Sequence, residues 1–404
     1  MTKDVMIEFV DAHFHKLPNH KKPPKFSQKS RQFLGTLLHS IKQAKHSIET
    51  DADAFSASAT FTDDLPIGYN YEYFPEEIKT RIHQMKRHCC NMSFQIHNRH
   101  YEIAIVYENK SRTEIISCLK KIKIWLTVAQ QYAPERCSQK MNIYIYFTDI
   151  LKTLPTTRGT NIDQSHANTA FTTQCKKVTE LNLYREEEWF KVFIHETFHN
   201  MGLDFSEQDT PATDKHILKL FPIQCDVRLY ETYCETWAEL LNILVTVVFF
   251  SNKNAGGENL IRKVEKMVYL EQVFSIFQMV KVLRHYGLQY EDLIDKTEMS
   301  HNLRMTRYKE TTNAFSYYVL TSICLYNMEA FLQFCIDQNG ESLRFGAISS
   351  KKGENIQGVI RDYCNFVETH YKTPVFLEDI RQVEKWTTGV PPWVAKTMRM
   401  SLFG

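Results

Sequence analysis

Residues 186–205 read EEEWFKVFIHETFHNMGLDF and contain the pattern HExxH. Residues four apart lie on one face of a helix, so His195 and His199 can direct both imidazoles at one metal ion. Glu196 lies on nearly the same face and can pass a proton from a metal-activated water to a leaving group. Neighbouring positions are apolar: Val192, Phe193, Ile194 and Phe198. Ionisable side chains are costly on such a buried helix unless a partner compensates them, so the stretch predicts a zinc site.

A zinc site of this kind needs a third protein ligand and an open position. A later helical stretch carries glutamates at i, i+4 and i+8, namely Glu231, Glu235 and Glu239. Three like charges on one face repel unless a cation or hydrogen-bond partners compensate them. We predict Glu235 as the third ligand and Glu239 as an outer carboxylate that orients a histidine. Glu231 is the alternative ligand, and a solvated acidic face without a metal is the alternative to both.

Gly202 and Asp204 follow the motif and suggest a second way to complete the site. In the pattern HExxHxxG, a residue just beyond the helix can return to the metal. Phe205 occupies that ligand position and Asp204 comes one residue early. We therefore expect Asp204 to lie at the helix end, in contact with the site but outside the ligand set, with a ligand role as the alternative.

Stabilising a developing oxyanion requires a hydrogen-bond donor. Tyr317 is the first candidate, because Asn313–Tyr318 interrupts an apolar helical stretch with polar groups. Other candidates in the C-terminal half are Tyr230, Tyr233, Tyr318, His285, His301 and Arg304.

The segment His195–His199, followed by Glu235–Glu239 with the sequence ETWAE, resembles the zincin superfamily of metallopeptidases in its gluzincin branch. The resemblance covers about residues 140–250, and it departs from the family in the 35 residues between His199 and Glu235. It implies a zinc-dependent peptidase that hydrolyses peptide bonds of a protein or peptide substrate, with Glu196 as general base.

The same resemblance implies a short sheet beside the active-site helix, whose edge strand binds extended substrate. We expect this strand at His166–Thr173. A connecting loop at that position is the alternative.

Segments around the motif are also similar to uncharacterised proteins of large DNA viruses of eukaryotes. These segments are Phe171–Thr173, Trp189–Val192, Gly202–Phe205 and Asn313–Tyr318. The similarity implies a viral protein in the host cytoplasm or the virion. Two rival functions follow: a catalytically silent zincin-fold structural or binding protein, such as a virion component, and a metal-dependent hydrolase of non-peptide bonds.

Composition narrows the other possibilities. The 404 residues are 43% apolar and 24% charged, as in ordinary globular proteins. A net charge of +2 argues against a general nucleic-acid binder. Ten cysteines without a CxxC pair predict mostly buried thiols in a reducing compartment such as the cytoplasm. Charges inside every apolar stretch of the N-terminus argue against a secretion signal. The apolar stretch 240–250 is shorter than the roughly 20 residues that span a bilayer, which predicts a buried helix.

The order of predicted elements indicates an α+β fold, and the resemblance implies that it is zincin-like, with a small mixed sheet and the active-site helix followed by a mostly helical lobe. We divide the chain into 1–90 (N-terminal arm and helices, the arm at 1–30), 91–206 (α/β zincin lobe) and 207–404 (helical lobe with the third ligand). Predicted strands are 93–97, 101–107, 142–147, 169–173 and 180–184. Predicted helices are 31–48, 76–88, 112–132, 186–202, 229–250, 258–286, 311–338, 355–370 and 376–386, and 50–75 is predicted as loop.

Overall fold

The fold is described from a computed structural model that covers residues 2–14, 17–19, 22–64, 66, 73–252, 255–387 and 390–403. Helices make up 57% of the chain and strands 11%, and the strands form one mixed sheet, so the α+β prediction is confirmed.

The first helices are α1 (Thr2–Phe14), α2 (Gln28–Thr50), α3 (Ala52–Ala57), α4 (Glu76–Gln84), α5 (Arg112–Ala129), α6 (Gln164–Ala167), α7 (Trp189–Asn200), α8 (Pro211–Leu220) and α9 (Leu229–Phe250). They are followed by α10 (Gly257–His285), α11 (Tyr290–Ile294), α12 (Glu298–Arg307), a π-helix (Phe315–Leu320), α13 (Thr321–Tyr326), α14 (Met328–Asn339), α15 (Ala347–Lys352), α16 (Gln357–His370), α17 (Pro374–Trp386) and α18 (Pro392–Lys396).

The sheet has six described strands in the order β1-β2-β3-β4-β6-β5. They are β1 (Thr60–Thr62), β2 (His88–Ile96), β3 (Arg99–Tyr107), β4 (Lys140–Tyr146), β5 (Ala170–Thr172) and β6 (Val178–Leu183). The central strands β3, β4 and β6 are parallel, whereas β1, β2 and β5 are antiparallel to their neighbours. The crossover from β3 to β4 uses α5, which begins with a capping box between Ser111 and Glu114. Strand β5 is an edge strand of the sheet and contacts α7.

Three predicted segments differ from the structure. The predicted arm at 1–30 contains α1, which packs against α10 and has Met6 and Val10 buried. The predicted loop at 50–75 contains α3 and β1, and its residues 65 and 67–72 lie outside the described residues. The predicted helix 311–338 is divided into the π-helix, α13 and α14, with a break at Asn327.

One hydrophobic core contains residues of the sheet and of helices from all three predicted divisions of the chain, 1–90, 91–206 and 207–404. The boundary at residue 90 falls inside β2, and α2 packs on both α5 and α9.

Among the described residues, α9 is the one helix that by itself is long and apolar enough to cross a membrane, but 83% of its most apolar window is buried within the protein. Two helical segments around Asn327 pass the same test only together, across a bend of 90°.

Cys137 and Cys175 form a disulfide, which the sequence analysis did not predict. Six of the other cysteines are buried thiols, as predicted: Cys89, Cys90, Cys234, Cys324, Cys335 and Cys364. The disulfide lies against the turn that ends α7. Gly202 has a φ of +59° there, and a Cβ at this position would lie 2.8 Å from the Cys137 sulfur. Both the left-handed backbone and the close approach therefore require glycine.

The segment after α18 returns to the start of α7. The Met398 amide donates to the Lys152 carbonyl at 2.9 Å, and the Met400 amide donates to a Glu188 carboxylate oxygen at 2.8 Å. Glu188 is also ion-paired with Lys152, and both side chains are fully buried. This pair fixes the entrance of α7 against the C-terminal segment.

Breaking this buried pair should destabilise the protein strongly. We expect Glu188→Ala to lower the free energy of unfolding by about 3–5 kcal/mol, because it removes the ion-pair partner of the fully buried Lys152 ammonium. The double variant Glu188→Leu/Lys152→Met should recover at least about half of that loss. Urea unfolding of both variants tests this. A loss below about 1 kcal/mol in the single variant, or equal losses in both, would contradict the account.

Candidate metal centre

Helix α7 is buried along the motif, and its two faces have different surroundings. Phe193, Ile194 and Phe198 pack into the hydrophobic core. Trp125 on α5 donates a hydrogen bond to the Thr197 hydroxyl at 2.7 Å, which ties this face to the helix behind it. The opposite face carries the HExxH side chains towards α9 and β5, so the apolar spacing of the motif determines which way its ionisable groups point.

Two stripes of ionisable side chains face each other where α7 packs on α9. The stripe on α7 consists of Lys191, His195 and His199, and the stripe on α9 consists of Glu231, Glu235 and Glu239. His199 contacts Glu231, whereas Lys191 contacts Glu235 and Glu239. The pairing order is reversed between the helices, so they run antiparallel and each stripe follows the four-residue repeat of its helix.

Three ligand atoms meet at the centre of these stripes. The Nε2 atoms of His195 and His199 are 3.3 Å apart, and one Glu231 oxygen lies 3.0 Å and 3.5 Å from them, respectively. Ligands about 2.0–2.1 Å from a tetrahedral zinc are separated by about 3.3 Å. The three atoms therefore fit three corners of a zinc tetrahedron.

Carboxylates lie beside the other ring nitrogen of each histidine. Glu235 places an oxygen 2.9 Å from Nδ1 of His195, and Asp204 places one 2.5 Å from Nδ1 of His199. A carboxylate on Nδ1 favours a proton there and leaves the Nε2 lone pair for a metal. Both histidines are thus prepared to bind a cation through the nitrogens that face Glu231.

The expectation that Glu235 is the third ligand does not match this geometry. Glu235 lies on the Nδ1 side of His195 and forms an ion pair with Lys191, while the alternative, Glu231, lies beside both Nε2 atoms. The expected role of Glu239 also differs, because the described cation nearest to it is Lys191 at 3.9 Å rather than a histidine. The three glutamates share one face, and only the axial position of α9 against α7 distinguishes them.

Asp204 lies where the sequence placed it, at the end of α7 and against His199. Its second oxygen accepts a hydrogen bond from the Ser206 hydroxyl at 3.1 Å. Together with His199 and Cys234 it forms another group with possible ligand atoms. However, the 2.5 Å between Asp204 and His199 is a hydrogen-bond distance, much shorter than the separation of two ligands of one metal. Asp204 therefore orients His199.

The electrostatics of the site favour a cation. Burial lowers the pKa of His195, but Glu231 and Glu235 outweigh burial and raise it to about 9. The pKa of Glu235 falls to about 2 despite burial, because Lys191 and His195 stabilise its charge. Burial raises the pKa of Glu196, and the nearby histidines only partly oppose that shift. The carboxylates of Glu231 and Glu235 thus supply negative charge for a divalent ion, and the neighbouring Glu196 is suited to hold a proton.

Tyr317 lies at this centre, as expected. Its hydroxyl is 3.4 Å from a Glu231 oxygen, and the Asn313 amide nitrogen is 3.3 Å from both that hydroxyl and the other Glu231 oxygen. The π-helix that carries Tyr317 packs against α9. Tyr230 lines the same cleft. Several other candidate donors are bonded to backbone carbonyls elsewhere, namely Tyr233, Tyr318, His285 and Arg304.

An open cleft of about 270 Å³ passes over the centre, and a narrow pocket of about 30 Å³ continues it past Glu196. Strand β5 forms one wall of both, since Ala170 lines each of them. The predicted edge strand is thus present as Ala170–Thr172, whereas His166 belongs to the short helix α6.

Sequence reasoning missed Lys191, Asn313 and Arg228. Lys191 had a recognisable signal, because a lysine one turn before His195 in an apolar helix needs a buried acidic partner. Asn313 had only its position in the polar segment that also contains Tyr317, and Arg228 had no signal, since the proximity of both to the centre depends on how the later helices pack.

In comparisons with protein-family models, with curated proteins and with solved structures, no match to this chain was found. The resemblance to zincins therefore remains one of motif residues, and the functional argument rests on the geometry of the centre.

The ligand set can be tested by zinc titration. We expect Glu231→Gln to weaken zinc binding more than about 100-fold, because it replaces a ligand anion. We expect Glu235→Gln to weaken it by about 10–100-fold, as for an outer carboxylate. Competition with a chromogenic chelator measures both. A larger loss in Glu235→Gln than in Glu231→Gln would restore Glu235 as the ligand.

Proposed function

We propose that the protein is a zinc-dependent peptidase, with His195, His199 and Glu231 as the zinc ligands. The observation that carries this proposal is the set of three ligand atoms at tetrahedral separations beside the buried Glu196. Two histidines and one glutamate form a ligand set of catalytic zinc sites, which keep a further position open. The adjoining cleft supports a substrate at that position.

Bound zinc would polarise the scissile carbonyl and lower the pKa of the attacking water. Glu196 accepts a proton from that water as it attacks and then delivers the proton to the departing amine, so the carboxylate returns to its starting state. Burial raises the pKa of Glu196, which helps it to retain the proton between the two transfers. Tyr317 donates a hydrogen bond to the oxygen that becomes negatively charged.

The backbone of β5 supports an extended peptide as the substrate. The Thr169 carbonyl accepts from the Tyr184 amide at 2.9 Å, and the Thr173 amide donates to the Glu180 carbonyl at 3.0 Å. In an antiparallel pair, residues alternate between facing the partner strand and facing away from it. Ala170 and Thr172 therefore direct their amides and carbonyls towards the cleft, where a peptide can add as a further strand.

The first test is the Glu196→Gln variant. We expect it to lose peptide cleavage by at least about 1,000-fold and to keep one zinc per chain, because the amide cannot accept the proton and Glu196 is outside the ligand set. Cleavage of a proteome-derived peptide mixture, read by mass spectrometry, and elemental zinc analysis measure the two properties.

The matched control is Glu354→Gln at an exposed position, which should cleave like the original protein. Cleavage by Glu196→Gln at the original rate would refute the proposed mechanism. Absence of cleavage by the zinc-loaded original protein would favour the catalytically silent alternative.

The second test compares two tyrosines of the cleft. We expect Tyr317→Phe to lower kcat by about 100-fold with little change in KM, because the lost hydrogen bond forms in the transition state. Tyr230→Phe should change kcat by less than about fivefold. If the two results are exchanged, Tyr230 is the oxyanion donor instead.

A further inference from the structure

The two parts of the cleft differ in size and in the residues that line them. The narrow pocket of about 30 Å³ lies beside Val192 and Met400, and the wide part of about 270 Å³ lies beside Gln174, Ser206 and Arg228. Both parts adjoin His195 and Glu196. A bound chain that crosses the metal centre thus has room for long side chains only on the wide side.

Arg228 is the only lysine or arginine among the described residues that line the wide part. It lies just before α9, three residues ahead of Glu231. Its Nε donates to Asp226 at 2.9 Å, and no described residue accepts a hydrogen bond from its two Nη groups. Its side chain is 43% exposed, and that of Asp226 is 71% exposed. Water therefore screens Asp226, and the Nη groups remain available to a ligand.

Antiparallel addition to β5 would give a bound peptide a definite direction. A chain that adds antiparallel to β5 runs opposite to it, so its N-terminal part lies beside the C-terminal end of β5. That end, with Thr172 and Gln174, lines the wide part, whereas Ala167, just before β5, lines the narrow pocket and Asn168 lines both. Residues on the N-terminal side of the scissile bond thus lie on the side of Arg228.

We propose that Arg228 binds a carboxylate side chain of the substrate, so that the enzyme prefers peptides with Asp or Glu among the three residues before the scissile bond. This inference rests on the proposed peptidase function and adds the substrate class. A guanidinium recognises a carboxylate through two parallel hydrogen bonds, which the free Nη groups of Arg228 can supply. The C-terminal carboxylate of a peptide can also pair with a guanidinium. In a peptide that is antiparallel to β5, however, the C-terminus lies on the narrow side of the metal centre, away from Arg228.

The experiment uses the zinc-loaded full chain and a proteome-derived peptide mixture, with cleavage sites identified by mass spectrometry. We expect Asp and Glu to be enriched among the three residues before the cut. In Arg228→Gln this enrichment should fall at least about fivefold relative to peptides with neutral residues there. Arg262→Gln is the matched control, because Arg262 is an exposed arginine paired with Glu258 outside the cleft and should leave the enrichment unchanged.

A binding measurement gives a readout that is independent of turnover. A labelled peptide from the most frequent cleavage site is compared with its Glu→Gln or Asp→Asn counterpart on the Glu196→Gln protein by fluorescence anisotropy. We expect the acidic peptide to bind about tenfold more tightly, and the difference to vanish when Arg228→Gln is added. Amidating the C-terminus of the peptide should change neither result.

Three outcomes would overturn the inference while leaving the peptidase function intact. These are cleavage without acidic enrichment, an enrichment that persists in Arg228→Gln, and a preference that disappears on C-terminal amidation. Absence of cleavage of any peptide by the zinc-loaded protein would instead refute the peptidase function, and the inference with it.

Discussion

The packing of α7 on α9 buries ionisable side chains of both helices at one contact, and each needs a partner there. Lys191 compensates Glu235, while the two histidines share Glu231 between their Nε2 atoms. Taking such groups out of water costs several kcal/mol for each unpaired charge, so the two stripes have to align. In our account a divalent cation binds between the Nε2 atoms of His195 and His199 and the carboxylate oxygen of Glu231.

The surrounding structure holds the two helices in that register. The ion pair of Lys152 with Glu188 attaches the C-terminal segment to the start of α7, and the Cys137–Cys175 disulfide lies against its end at Gly202. Asn313 contacts Glu231, and the π-helix packs against α9. Elements from distant parts of the sequence thus meet around one helix, which explains why a single core crosses the proposed lobe boundaries.

The sequence predicted long periodic elements well and short or tertiary features poorly. Helix 229–250 matches its observed bounds, because its apolar periodicity is strong. The π-helix was missed, since its geometry depends on packing against α9 rather than on local propensity. The structure groups the two histidines with Glu231 rather than with the predicted Glu235, and the sequence did not show this for a related reason. Residues four apart on a helix are equivalent in sequence, and only the tertiary alignment with Lys191 and His195 separates them.

The most direct test of the metal centre is zinc K-edge X-ray absorption spectroscopy of the zinc-loaded protein. We predict a first shell of two imidazole nitrogens and oxygen ligands at about 2.0–2.1 Å, without sulfur, as the cluster of His195, His199 and Glu231 requires. A sulfur shell at about 2.3 Å would place the metal at His199, Asp204 and Cys234 instead. That result, or failure of the folded protein to retain zinc, would contradict the account.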